Sequence, residues 1–266
     1  LGSAISKSFK FKGVSNILCP TRKELNLFNQ LEIDNYFKNN HIDICILSAG
    51  RVGGIVDNIN NPFDLIYENI LIQMNVIKSV IENEIERLIL FGSSCMYPLD
   101  CKQPMKEDCL ELATMEKTSE PYAISKFSGF SLASSYNKQF NTNKFLYLIP
   151  NSVYGENDNF NPEKGHVLSS LINKFHYAKI KKHSSVELWG DGSPIRDFVF
   201  SEDLADAVIF LIEKNFCSKN QPINIGSGKG IKISELAEMI KSIVGYKGKT
   251  IWNNEISNGT SKKILD

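Results

Sequence analysis

Four short runs in this chain are apolar through their centres: NILCP at 16–20, DICILSA at 43–49, RLILFGSS at 87–94 and FLYLIP at 145–150. A strand with one face in water alternates apolar and polar residues, so runs without alternation belong to strands covered on both faces. Helical spacing fills the gaps between them, at about 29–40, 62–84 and 121–138. Alternating buried strands and helices predict an α/β fold with a Rossmann-like, doubly wound parallel sheet. In such a sheet ligands collect beyond the carboxyl ends of the strands.

After Pro150 the pattern loosens into SVYGENDNFNPEKG, followed by a helix near 165–182 and a strand, SVELWG. This reads as a smaller, substrate-binding lobe. DFVFSEDLADAVIFLIEKN then has the form of a strand and a buried helix, and QPINIGSG that of one more core strand. The chain is therefore expected to return to its first domain, giving a dinucleotide-binding domain of 1–150 and 198–226 interleaved with a lobe of 151–197 and 227–266.

With 266 residues, 42% hydrophobic and 23% charged, the chain can bury a large core, which excludes a disordered or fibrous protein. Thirty basic residues balance thirty acidic ones. That leaves no electrostatic case for a nucleic-acid or anionic-membrane partner. The six cysteines (19, 45, 95, 101, 109 and 217) lack the Cys-x-x-Cys pairs of a structural zinc site and read as free thiols, with no metal expected. No run of 18 apolar residues and no signal-peptide pattern is visible, so the expected compartment is the cytoplasm.

Chemistry enters at Tyr122-Ala-Ile-Ser-Lys126. Four positions apart on a helix, the phenol and ammonium share one face roughly 6 Å apart. The positive charge is expected to lower the phenol pKa, so that Tyr122 can exchange a proton with a carbonyl or alkoxide oxygen. The spacing alone is weak, because Tyr177-Ala-Lys-Ile-Lys181 repeats it. Context separates the two copies: upstream of Tyr122, RLILFGSS ends at the ligand edge of the sheet, and nothing equivalent precedes Tyr177. Ser93, at that strand end, can bond the same substrate oxygen, whereas Ser94 reads as a turn residue.

The strings TRKELNL (21–27), RVGGIV (51–56), GSSCMYP (92–98), EPYAISK (120–126), DNFNPEKGHV (158–167) and WGDGSPIRDF (189–198) closely resemble the GDP-L-fucose synthases, a group of extended short-chain dehydrogenases/reductases. The likeness spans essentially the whole chain. It implies NADPH as hydride donor and a GDP-linked 4-keto-6-deoxy sugar as acceptor, reduced by Ser93, Tyr122 and Lys126. It also implies epimerisation at carbons 3 and 5, with Cys95 as base and His166 as acid. Both residues have a plainer reading as well: Cys95 as a small buried hydrophobe and His166, like His176, as a bonded loop or helix side chain. A homodimer formed through the long helices 62–84 and 121–138 is implied by the same likeness.

For the cofactor, the matching positions are Gly2, Arg22, Leu27, Ala49, Gly50, Phe91, Gly92, Ser93, Tyr122, Lys126, Pro150, Val153 and His166. Arg22 is the discriminating one, since an arginine there accommodates the 2′-phosphate of NADP. Ala49, Gly50, Phe91, Gly92 and Pro150 can equally be core packing. For the nucleotide-sugar, the matching positions are Ser152, Lys174, Trp189, Arg196 and Asn258. Two of these depart from the group's pattern: Lys174 replaces an arginine, and Ser152 replaces an asparagine in PNSVYG. The departures keep open a reductase without epimerase activity acting on a related sugar such as a 6-deoxy-heptose. A protein that binds NADPH without turnover is the reading of another class. LGSAI matches only the last glycine of a Gly-x-x-Gly-x-x-Gly turn, with Gly2 as its third, so the expectation is that a first strand, and also a final stretch, are missing from the given sequence.

Overall fold

The computed structural model describes residues 1–163, 165–218, 220–255 and 259–266. In chain order its elements are α1 (Gly2–Phe11), α2 (Gln30–Asn39), β1 (Ile44–Leu47), α3 (Ile55–Asn60), α4 (Pro62–Glu82), β2 (Arg87–Phe91), α5 (Glu120–Gln139), β3 (Phe145–Pro150) and β4 (Ser152–Tyr154). They continue with α6 (Val167–Lys181), β5 (Ser185–Trp189), β6 (Ile195–Arg196), β7 (Phe198–Phe200), α7 (Ser201–Glu213), β8 (Ile223–Ile225), β9 (Ile231–Lys232), α8 (Ile233–Val244), β10 (Lys249–Asn253) and β11 (Lys262–Lys263).

Strands β1, β2, β3 and β8 form one sheet in that order, parallel throughout. Successive side chains point to opposite faces of a strand, and here both directions meet helices. Leu88, Leu90, Tyr147 and Ile149 join a core with Ile33 and Phe37 of α2, Ile72, Val76 and Val80 of α4 and Ala133 of α5. Ile89, Phe91, Leu146 and Leu148 pack instead with Ile5 of α1 and Ala205, Val208 and Leu211 of α7. Burial on both faces explains why these runs carry no polar alternation. The fold is α/β, and β8 returns to the edge of the sheet beside β3.

Helix starts and stops follow local chemistry. The Asn29 side chain accepts bonds from the Leu31 and Glu32 amides at the start of α2, and a proline stands in the first turn of both α4 and α5. Residues 16–20, expected as a strand, belong to no sheet among the described residues. They are mostly exposed, and β1 ladders with β2 instead. Apolar content makes a strand only where a neighbour supplies the ladder.

A separate apolar cluster centres on Phe175, Leu188, Ala237 and Tyr246, uniting α6 and α8 with the parallel pair β5 and β10. Strand β6 lies between β11 and β9. Beside it Asp197, fully buried, accepts bonds from Ser227 N (2.9 Å), Ser227 Oγ (2.5 Å) and Asn151 Nδ2 (3.2 Å), tying together segments that follow β6, β8 and β3. Among the described residues no helix is long and apolar enough to cross a membrane, and no cluster of His, Cys, Asp and Glu could hold a metal ion.

Candidate active site

A cavity of about 600 Å³ opens beyond the carboxyl ends of the central strands. It is walled by Ser48 and Gly50 after β1, Phe91, Gly92 and Ser93 at the end of β2, Pro150 and Asn151 at the end of β3, and α6 on the far side. The turn after β2 is built around Gly92. A Cβ there would stand 2.7 Å from both Met96 Sδ and Tyr147 Cε1, so only glycine lets the chain pass. Ser93 then caps a short 3₁₀ turn at Ser94–Met96, its Oγ accepting from Cys95 N at 3.3 Å. Ser93 and Cys95 are thereby fixed on one wall.

Helix α5 supplies Tyr122 and Lys126 one turn apart, with Lys126 Nζ 5.8 Å from the Tyr122 ring centroid. Tyr147 Oη donates to the Lys126 carbonyl at 2.5 Å, and Gln73 Nε2 to the Ser125 carbonyl at 3.0 Å, which anchor this stretch to β3 and α4. Across from it, Asn69 grips Arg51 through both backbone groups (Oδ1 from N, 3.0 Å; Nδ2 to O, 2.9 Å). That holds Gly50 where a Cβ would be 2.8 Å from Asn69 Oδ1 and 3.5 Å from Lys126 Nζ. Lys126 is only 8% exposed, lines the cavity and makes no side-chain hydrogen bond among the described residues.

Burial pushes the Lys126 ammonium down to about 8. Burial, followed by the nearby Cys95 charge, pushes the Tyr122 phenol above its ordinary value, and the Ser93 hydroxyl offsets this only in part. The expectation that Lys126 lowers the phenol pKa is therefore corrected: desolvation disfavours the charged form of both groups and shifts each towards its neutral form. A neutral phenol beside Ser93 is a proton donor at neutral pH.

Cys95 behaves oppositely. Burial, the largest single influence, raises the thiol, but the Lys263 ammonium and bonds from Ser93, Ser119 and Lys263 together carry it below the ordinary value. Lys263 Nζ lies 3.4 Å from Cys95 Sγ. The cation acting on this thiol is thus Lys263. His166, at the N-terminus of α6 and half-exposed, has Nδ1 3.9 Å from Asp158 Oδ1. Asp158, bonded in turn by Ser169 Oγ, holds the imidazole above its usual value, so the imidazolium persists to higher pH than an ordinary histidine's.

On the substrate-lobe side, Lys174 Nζ sits 5.0 Å over the Trp189 ring and donates to the Glu187 carbonyl at 3.3 Å. Arg196 Nη1 donates to its neighbour's carbonyl at 3.0 Å, and burial lowers its pKa against the opposing charges of Cys95 and Glu116. Ser152, Val153, Lys174, Trp189 and Arg196 all line the cavity. Asn258 lies outside the described residues. Gly2, Arg22, Leu27 and Ala49 are not among the lining residues, although Leu1 and, in the first turn of α1, Ser3 and Ala4 are. Arg22 is exposed in the loop before α2. Lys263 was not foreseen at all: it is 168 positions from Cys95, and no local spacing announces it.

A model of the NAD dependent epimerase/dehydratase family matches residues 1–226. GDP-L-fucose synthase of Escherichia coli K12 is 38% identical over 273 residues, an overlap covering all of this chain and 85% of that protein. The chain belongs to this family, in the group that contains the GDP-L-fucose synthases. Among solved members, a GDP-6-OMe-4-keto-L-xylo-heptose reductase from Campylobacter jejuni superposes with a TM-score of 0.92 at 33% identity, covering all of this chain and 86% of the other. A GDP-mannoheptose C4 reductase from the same organism, solved with NADP bound, gives 0.87 at 34% identity, covering 100% and 87%. The family relationship spans both the sheet and the segments around α6.

Proposed function

We propose that this chain reduces carbon 4 of a GDP-linked 4-keto-6-deoxy sugar with NADPH, after epimerising carbons 3 and 5. The observation that carries the reading is the meeting of two proton-transfer sets in one cavity: Ser93, Tyr122 and Lys126 on one wall, Cys95 and His166 beside them.

The residues present fit the dinucleotide. Among the described residues Lys126 offers a buried ammonium with no acceptor of its own, Gly50 lies beside it, and the first-turn amides of α1 suit a pyrophosphate. When bound, NADPH supplies the hydride. Gly50, Phe91, Gly92, Pro150 and Val153 line its trough, with Gly2, Leu27 and Ala49 flanking it and Arg22 favouring the 2′-phosphate. The cations Lys174 and Arg196, with Trp189, Ser152 and Asn258, hold the nucleotide-sugar.

A ketone at carbon 4 acidifies the neighbouring C–H bonds. Cys95 thiolate takes one such proton, the C–H electron pair flows towards the ketone oxygen, and Ser93 and Tyr122 bond the oxygen as it gains charge. His166 imidazolium returns a proton to the carbon, inverting it. In the reduction, Tyr122 gives its proton to the oxygen at carbon 4, and Lys126 stabilises the phenolate that remains.

A second reading, C4 reduction without epimerisation on a heptose, is favoured by the likeness to heptose reductases and by Ser152 in the sugar wall. Incubation with GDP-4-keto-6-deoxy-mannose and, separately, with its heptose counterpart, each with NADPH and with NMR identification of the product, separates the readings. A C3/C5-inverted, C4-reduced sugar supports the first, reduction without inversion the second, and no NADPH oxidation leaves only a binding protein. The same reading divides the chain into 1–150 with 198–226 and 151–197 with 227–266; the apolar cluster around α6 and α8 supports a separate lobe, while Leu265 packs into the core of the first domain. It makes the working form a cytoplasmic homodimer, paired through α4 and α5.

A further inference from the structure

We propose that Lys263 is the activating partner of Cys95: its ammonium forms an ion pair with the thiolate and keeps the base of the epimerisation step free of its proton. The inference rests on the epimerase reading above and adds a residue to it. Lys263 Nζ is 3.4 Å from Cys95 Sγ, in hydrogen-bond contact, and no carboxylate pairs with Lys263 among the described residues.

The contact is built in rather than incidental. Lys263 lies on β11, opposite Arg196 of β6, and its carbonyl accepts from Asp197 N (3.2 Å) and Asn151 Nδ2 (3.4 Å). The next residue is clamped from the other side, Ile264 N donating to Gln103 Oε1 at 2.9 Å and its carbonyl accepting from Met105 N at 2.8 Å. With the backbone held on both sides, the side chain spans to the turn after β2, where Ser93 fixes Cys95.

The other charged and titratable groups around the thiol are Arg196 on β6, His166 at the start of α6, and Tyr122 with Lys126 on α5. Glu116 and Lys262 border a smaller adjoining cavity with Cys95 and Lys263. His166 must surrender its proton to the sugar, and Arg196 is turned to its neighbour's carbonyl. Of the cations around it, Lys263 is the one in hydrogen-bond contact with the sulfur among the described residues. The thiol proton leaves to solvent as the pair forms. The thiolate then forms its S–H bond with the proton taken from the sugar, and that proton returns to solvent before the next turnover.

The test is the pH dependence of Cys95 alkylation by iodoacetamide in the full chain without sugar, followed by peptide-resolved mass spectrometry. Alkylation of Cys95 in the unaltered protein should have its midpoint below that of an ordinary thiol. Lys263→Met should move it upward and slow alkylation at neutral pH by about tenfold or more, and Lys263→Arg should restore it. Deuterium uptake into the keto sugar in D₂O without NADPH should fall in parallel, as a loss of turnover with a displaced pH limb. Should Lys263→Met fail to fold, Lys263→Gln gives the same readout. An unmoved midpoint with only a raised KM overturns the proposal and makes Lys263 a substrate contact. A moved midpoint in a protein that never exchanges deuterium upholds the ion pair and overturns the epimerase reading beneath it.

Discussion

Tyr122 and Tyr177 each have a lysine ammonium 5.8 Å from the ring centroid. Their surroundings differ: Lys126 is 8% exposed in the cavity wall, while Tyr177 is 53% exposed and stacks edge-on with His183. Only the first lies in the wall of the cavity. Tyr122→Phe should slow hydride transfer by about 10²–10⁴-fold with little change in stability, and Tyr177→Phe should leave NADPH oxidation unchanged; stopped-flow absorbance decides both. Asp158 gives a second residue-scale expectation. It raises the His166 pKa, so the acid stays protonated to higher pH. In Asp158→Asn the imidazolium is lost at lower pH, and the alkaline limb of the deuterium-uptake profile should move towards acid. At this scale the meeting of Ser93, Tyr122 and Lys126 in one cavity was legible in the sequence, because they are joined by one helical turn and one strand end. The state of the phenol was not, since burial is a property of everything packed around it.

At the scale of elements, α5 and β3 show how little of the fold depended on distant information. The run FLYLIP became β3 residue for residue, and α5 departs by one residue at each end from the expected span. Their junction is held by Asn137, whose Nδ2 donates to the Phe145 carbonyl (2.7 Å) and whose Oδ1 accepts from Phe145 N (3.1 Å), a side chain completing the strand's first ladder position. Asn137→Ala leaves both backbone groups buried without partners and should cost about 1–3 kcal/mol, read by urea denaturation. The segment 16–20 marks the limit of such reading: its composition matches β1 and β3, yet pairing is a relation between strands, and no ladder partner adjoins it.

Across the whole molecule, α4 presents Phe63, Tyr67 and Met74 to solvent at 68%, 52% and 53% exposure, spaced as one helical stripe. The proposed homodimer covers it. The pair Tyr67→Glu and Met74→Glu should give a monomer by light scattering, with the far-ultraviolet circular dichroism retained. Cys95 and Lys263 meet only because the chain returns to its central sheet before laying β11 along β6, a closure that no window of sequence contains. The same long return brings both tryptophans of the chain, Trp189 on β5 and Trp252 on the partner strand β10, to the rim of the cavity described above. Indole emission from this chain therefore originates at the cavity rim, one ring lying under the Lys174 ammonium, and it can serve as an optical gauge of occupancy: if the proposed site takes the nucleotide-sugar there, titration with GDP should change emission intensity and wavelength.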